Sequence, residues 1–136
     1  MKVMDSDMDA LWPSAPRRWS WVGGENVPTL GGSRVNASEP LAELSICASI
    51  VELRLRGPFA RLARAETLRA VRQDLESAFP IRSKVRFRGV GFRRVDGREY
   101  YFKTTKADEI LAVLDQQGLP VSMTAQPAAK LWSGVP

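Results

Sequence analysis

The sequence predicts a mainly β fold with one helix, an α+β class built on an antiparallel sheet. Three observations predict it. Val51-Glu52-Leu53-Arg54-Leu55-Arg56 and Lys84-Val85-Arg86-Phe87-Arg88 are apolar at every second position. A period of two belongs to a half-buried strand, with charges on the face away from the core. Asp96-Gly97 lies between two strand-like runs and suits a two-residue hairpin turn. Residues 105–118 show instead the spacing of an amphipathic helix.

Taken in order, residues 1–31 read as an irregular arm. Leu11-Trp12-Pro13-Ser14-Ala15-Pro16 cannot sit inside a helix. Gly23-Gly24 and Gly31-Gly32 punctuate the second half of the arm and its junction with the domain. Trp12, Trp19 and Trp21 fall in this arm, and a disordered tail rarely carries so many aromatics. Trp19 and Trp21 share one side of an extended segment. They are expected to pack on the domain or on a second copy of it.

The domain proper is expected over residues 32–122. Residues 41–48 read as a strand with Leu44 and Ile46 on one face, and Ala48-Ser49 as a tight turn. Residues 50–56 return with Val51, Leu53 and Leu55 inward, making an antiparallel hairpin that Gly57-Pro58 ends. Residues 59–64 read as a short strand. Residues 65–76 fit either a turn of helix, from the spacing of Leu68, Val71 and Leu75, or an irregular strand; Phe79-Pro80 closes the segment.

Residues 82–92 read as one strand. Val85 and Phe87 are out of phase with Val90 and Phe92, so a β-bulge or sharp bend is expected at Gly89. Residues 99–104 carry Tyr100 and Phe102 on one face, Tyr101 and Lys103 on the other. Phe87, Phe92 and Phe102 are expected in the core and Tyr101 at the surface. Thr105 is the expected N-cap of the helix, with Asp108 three residues on. Ala107, Ile110, Leu111 and Leu114 form its apolar stripe, and Gly118 and Pro120 stop it. Residues 123–136 read as a tail containing Trp132.

This order resembles the pleckstrin-homology-like superfold, and most closely small bacterial PH-like or GRAM-like proteins. The resemblance is carried by residues 40–44 leading into Leu53-Arg54-Leu55, by Ile81-Arg82 through Val85-Arg86-Phe87, by residues 100–104, and by the helix with Gly118-Leu119-Pro120-Val121. It implies a bent antiparallel β-barrel of seven strands capped by a C-terminal helix. The superfold serves lipid, peptide and purely structural roles, so it names no function by itself.

Composition narrows the chemistry. The chain has 136 residues, no histidine and one cysteine, Cys47. That removes the usual zinc sites, an internal disulfide and the commonest general base. No run approaches a membrane helix, and the acidic N-terminus lacks the apolar region of a secretory signal. A cytoplasmic, non-enzymatic protein is expected, with no metal and no cofactor. Gly23-Gly24 and Gly31-Gly32 lack the context of a phosphate loop.

Charge is unevenly spread. Residues 52–106 hold 15 Lys/Arg against 6 Asp/Glu, while both flanking segments are net negative. Arg54, Arg56, Lys84, Arg86 and Arg88 on strand bodies, with Arg93, Arg94 and Arg98 around the hairpin turn, therefore predict one positive face. That face, beside the Trp-bearing arm, is expected to meet a protein partner or a second copy of the chain. Nucleic acid is the alternative ligand for the same cations, and an anionic membrane surface a third.

Overall fold

The computed structural model describes residues 17–29, 32–57, 65–82 and 88–125. Trp12, Lys84, Arg86, Phe87, Trp132 and the strand expected at 59–64 lie outside these residues. The described chain forms one seven-stranded antiparallel sheet and one α-helix. The strands are β1 (Arg18–Pro28), β2 (Arg34–Cys47), β3 (Ile50–Leu55), β4 (Leu68–Ala70), β5 (Leu75–Arg82), β6 (Arg88–Arg94) and β7 (Glu99–Lys103). The helix is α1 (Ala107–Gln116). The mainly-β-with-α expectation therefore holds.

The sheet order is β4-β3-β2-β1-β7-β6-β5. Its two edges, β4 and β5, are joined only by residues 71–74, which include a 3-10 turn over Arg72–Asp74. So short a link spans at most about 17 Å. The sheet must therefore curl to bring its edges near each other, and no ladder pairs them.

The segment expected as an irregular arm is in part the central strand. β1 pairs with both β2 and β7. Trp19 and Trp21 alternate with exposed Arg18, Ser20 and Val22, which is the period of a half-buried strand. Of the glycines that read as punctuation, Gly23 and Gly24 lie inside the strand, where there is no room for a side chain, while Gly32 at φ 87° lies outside it with open space around it. A Cβ on Gly23 would come within 2.3 Å of the Lys103 carbonyl oxygen and 2.9 Å of the Phe102 ring. At this point Gly23 pairs with Ala42 but Glu25 with Ala37, so β2 carries three extra residues around a bulge.

The β2–β3 hairpin forms as expected. Ala48 and Ser49 both take positive φ, 51° and 64°, the geometry of a type I′ turn. Leu44, Ile46, Val51, Leu53 and Leu55 are buried. Of the two expectations for 65–76 the structure takes some of each: no α-helix forms there, and the stretch holds β4, the 3-10 turn and the start of β5. Leu68 and Leu75 are buried while Val71 is exposed, so the three do not form one stripe. Pro80 lies within β5, an edge strand, where its missing N–H costs no ladder bond.

The single strand expected over 82–92 is two strands. Arg82 pairs with Arg88 across antiparallel β5 and β6, so the chain reverses between them. No bulge occurs at Gly89, since the β6–β7 register runs unbroken from Gly89↔Lys103 to Arg93↔Glu99. The apolar phase changes there because β6 is buried on both faces, from Gly89 through Phe92. The β6–β7 turn holds three residues, 95–97, rather than two; Gly97 takes φ 91° and its N–H donates to the Arg94 carbonyl, while the Arg94 N–H donates to the Arg98 carbonyl, both at 2.9 Å.

One large core lies between the curled sheet and α1, around Val27, Leu44, Leu53, Phe92, Phe102 and Leu111. A second cluster, Phe79, Ile81 and Tyr101, is buried apart from it. Tyr101, expected at the surface, is 1% exposed. α1 packs on β5 and β6 with Ile110, Leu111, Val113 and Leu114 buried. Its N-cap is Lys106, not Thr105, and the Thr104 hydroxyl accepts the Lys106 N–H at 3.0 Å. Gly118 at φ 78° ends it in a Schellman arrangement, with Leu119 N–H donating to the Leu114 carbonyl at 3.0 Å. Among the described residues no helix is long and apolar enough to cross a membrane.

Candidate functional site

Of the sequence-predicted cations, Lys84 and Arg86 lie outside the described residues, while Arg54, Arg56, Arg93, Arg94 and Arg98 fall in three side-chain groups. The first is a ladder on the outer side of β2, β3 and β4. Arg54 meets Glu43 at 2.9 Å and Glu52 at 3.6 Å, and Arg69 meets Glu52 at 3.4 Å. The Ser20 hydroxyl donates to Glu43 at 2.7 Å. That bond and Arg54 hold the Glu43 carboxyl below its usual range. Arg56, at the end of β3, donates to the Pro40 carbonyl at 3.1 Å.

The second group surrounds the β6–β7 turn. Arg94 pairs with Asp96 at 3.4 Å and reaches the Arg69 carbonyl at 3.4 Å. Arg98 pairs with Glu66 at 3.0 Å, and the Tyr100 hydroxyl donates to the same carboxylate at 2.8 Å. Burial, then the bond to Glu66, push Tyr100 up to about 12. The backbone N–H of Arg98 donates to Asp96 at 2.9 Å and lowers its pKa.

The third group edges the second apolar cluster. Arg93 meets Glu99 at 2.7 Å and Glu76 at 3.8 Å, with its guanidinium 5.0 Å from the Phe79 ring centre. The Tyr101 hydroxyl donates to Glu99 as well. Arg34, unmarked in the sequence, binds β1, β2 and β7 together. It donates to the Asn26 side chain at 2.6 Å and to the Glu99 carbonyl at 2.9 Å, and stands 5.1 Å over the Tyr101 ring.

No protein-family model matches this chain, and no curated protein is similar to it. What the chain can do must therefore be read from these groups.

Of the predicted site residues, Arg54, Arg93, Arg94 and Arg98 each form an ion pair with a carboxylate, and Glu43 and Glu66 among these were not singled out in the sequence. The signal was available. Glu52 and Glu43 occupy outward positions beside Arg54, so the strand read as cationic alternates sign along its outer face. Arg88 is exposed at the start of β6. Trp19 and Trp21 are partly buried against the main core. The Trp21 indole N–H donates to Glu109 of α1 at 2.8 Å, and Arg17 lies 4.9 Å from the Trp19 ring centre. These two tryptophans fasten β1 to its own domain. Among the described residues no three thiols or carboxylates gather as metal ligands would.

One further group escaped sequence reading. Glu25, at the β1 bulge, is 0% exposed, and neither carboxylate oxygen has a hydrogen-bond partner. Burial pushes its pKa up to about 7, against the opposing pull of Lys103.

Proposed function

We propose that this chain is a non-enzymatic, cytoplasmic interaction module of the pleckstrin-homology-like kind, and that its first partner is a second copy of itself. The observation that carries the reading is the ladder of alternating charge across β2, β3 and β4. Polyanions are held by cations whose charge is not already met by neighbouring carboxylates. A surface that alternates Arg and Glu suits another protein face, and under a two-fold axis it is complementary to its own copy. Seven antiparallel strands, edges joined by a short link and one helix after the last strand support the PH-like assignment.

Sedimentation velocity across about 10–300 μM protein tests this. Concentration-dependent dimerisation at low salt, abolished in Glu43→Lys/Glu52→Lys, is the expected result. A monomer at every concentration in low salt overturns it.

One observation favours nucleic acid as a second reading, at a different place. Arg88 is exposed at the start of β6, and in the sequence Arg82, Lys84 and Arg86 precede it at every second position. An exposed arginine next to such a basic run suits a phosphate contact. Binding of single-stranded RNA should then weaken steeply with salt, and Lys84→Ala/Arg86→Ala should reduce the logarithmic salt slope by roughly one to two. No RNA binding at low salt removes this reading.

A further inference from the structure

A cleft of about 240 Å³ opens on the outer face of the sheet beside the β2–β3 turn. Two neighbouring cross-strand rows line it: Arg18, Cys47 and Ile50, then Ser45, Glu52 and Arg69. Ala48 of the turn closes one end. The charges here are unequal. Glu52 already accepts from Arg69 and faces Arg54, and Glu43 accepts from Ser20 and Arg54. Arg18 forms no ion pair among the described residues, and its hydrogen bond goes to Ser45 Oγ at 3.3 Å. Ser45 is buried, yet its oxygen only accepts in that bond. Its hydroxyl hydrogen therefore remains to be donated. The cleft thus holds one guanidinium that is outside any ion pair among the described residues, though in the field of Glu43, one uncommitted hydroxyl donor, and the apolar surfaces of Ile50 and Ala48.

We propose that this cleft binds a carboxylate bearing a short aliphatic group. Arg18 and Ser45 hold the carboxylate, and Ile50 and Ala48 receive the aliphatic part. Arg18 presents a planar fork that matches a carboxylate. The volume lies below the roughly 300–1,000 Å³ of drug-sized pockets, so the bound group is small. Such chemistry is found in a free short-chain acid and at the C-terminus of a peptide ending in an aliphatic residue. The cleft shares Glu52 and Arg69 with the charge ladder, but the proposed carboxylate contacts, Arg18 and Ser45, form no ion pair of that ladder.

Titration of the ¹⁵N-labelled full chain with N-acetyl-leucine, followed by amide shifts, tests the proposal. Saturable shifts at Ser45, Cys47, Ala48 and Ile50 in the millimolar range are expected. N-acetyl-leucinamide, which lacks the charge, and sodium acetate, which lacks the aliphatic group, should each bind at least tenfold more weakly. Arg18→Gln should lose at least tenfold in affinity with an otherwise unchanged spectrum, while Lys106→Gln, on the helix N-cap, should bind as the wild type does. Hexanoate in place of N-acetyl-leucine separates the two sources, since tighter binding of one over the other points to the free acid or to the peptide terminus. Equal binding of acid and amide, unaffected binding in Arg18→Gln, or no shift with either N-acetyl-leucine or hexanoate overturns the proposal.

Discussion

Replacing Glu25 by glutamine should stabilise this protein, and increasingly so as the pH rises. Glu25 pairs across the sheet with Ala37 on β2 and Phe102 on β7, and it is fully buried. Neither oxygen finds a donor, so the carboxyl is far better tolerated as the neutral acid. Its pKa rises from 4.5 to about 7, burial being the larger cause and Lys103 the opposing one. The folded state therefore binds a proton that the unfolded chain releases between those values. Stability from the neutral acid is complete below about 4.5 and is lost as the pH rises through about 7. A shift of that size corresponds to about 3 kcal/mol. Glutamine keeps the shape and does not titrate. Urea denaturation at pH 4, 5, 6, 7 and 8 should give wild-type and Glu25→Gln curves that nearly coincide at pH 4 and differ by about 1 kcal/mol at pH 5. At pH 8 the variant should be more stable by about 3 kcal/mol. Parallel pH profiles for the two proteins would refute the reasoning, because they would mean that Glu25 is not buried as an uncompensated acid.

Three further substitutions probe the packing. A Cβ on Gly91 would come within 2.4 Å of the Phe79 ring, which is itself buried, so Gly91→Ala should cost about 1–3 kcal/mol in chemical denaturation. Adding Phe79→Leu should recover part of that loss, and strict additivity of the two would count against the contact. Tyr100→Phe removes the hydroxyl donated to Glu66 and should cost roughly 1 kcal/mol by the same measurement. Trp21→Phe keeps the packing against the core but loses the bond to Glu109. A double-mutant cycle with Glu109→Ala should give a coupling of about 0.5–1 kcal/mol, and zero coupling would show that the indole bond contributes nothing.

The strand pairs and the helix were legible because local pattern and tertiary role agree there. Residues 50–55 alternate because one face meets the core, and residues 107–116 carry a stripe because one face covers the sheet. Legibility failed where a strand is buried on both faces or tightly sandwiched. β6 loses its alternation at Gly89-Val90-Gly91-Phe92 because Phe79 and Tyr101 cover one side while the main core covers the other. β1 carries Gly23-Gly24 because β2 and β7 approach too closely for side chains, and glycine in a sequence reads first as a turn. Tyr101 looks amphipathic, yet its hydroxyl is satisfied inside the structure by Glu99, which frees the ring to be buried.

The charge pattern failed for a different reason. A segment's net charge counts ions but not the strand partners that face them. Residues 52–106 are strongly basic in sum, yet Arg54, Arg69 and Arg93 lie beside Glu43, Glu52 and Glu99 through the register of β2 with β3, β3 with β4, and β6 with β7. Those pairings join residues 6 to 17 positions apart in the chain. The exposed pairs of Arg54 and Arg69 contribute little to stability. Their consequence lies in recognition: they replace a uniform positive field with alternating signs, which a phosphate backbone cannot exploit and an oppositely patterned protein surface can. The cations outside these ion pairs are therefore the informative ones. Arg18 beside its cleft, in no ion pair among the described residues, and Arg88, exposed at the start of β6, are where ligand binding should be sought.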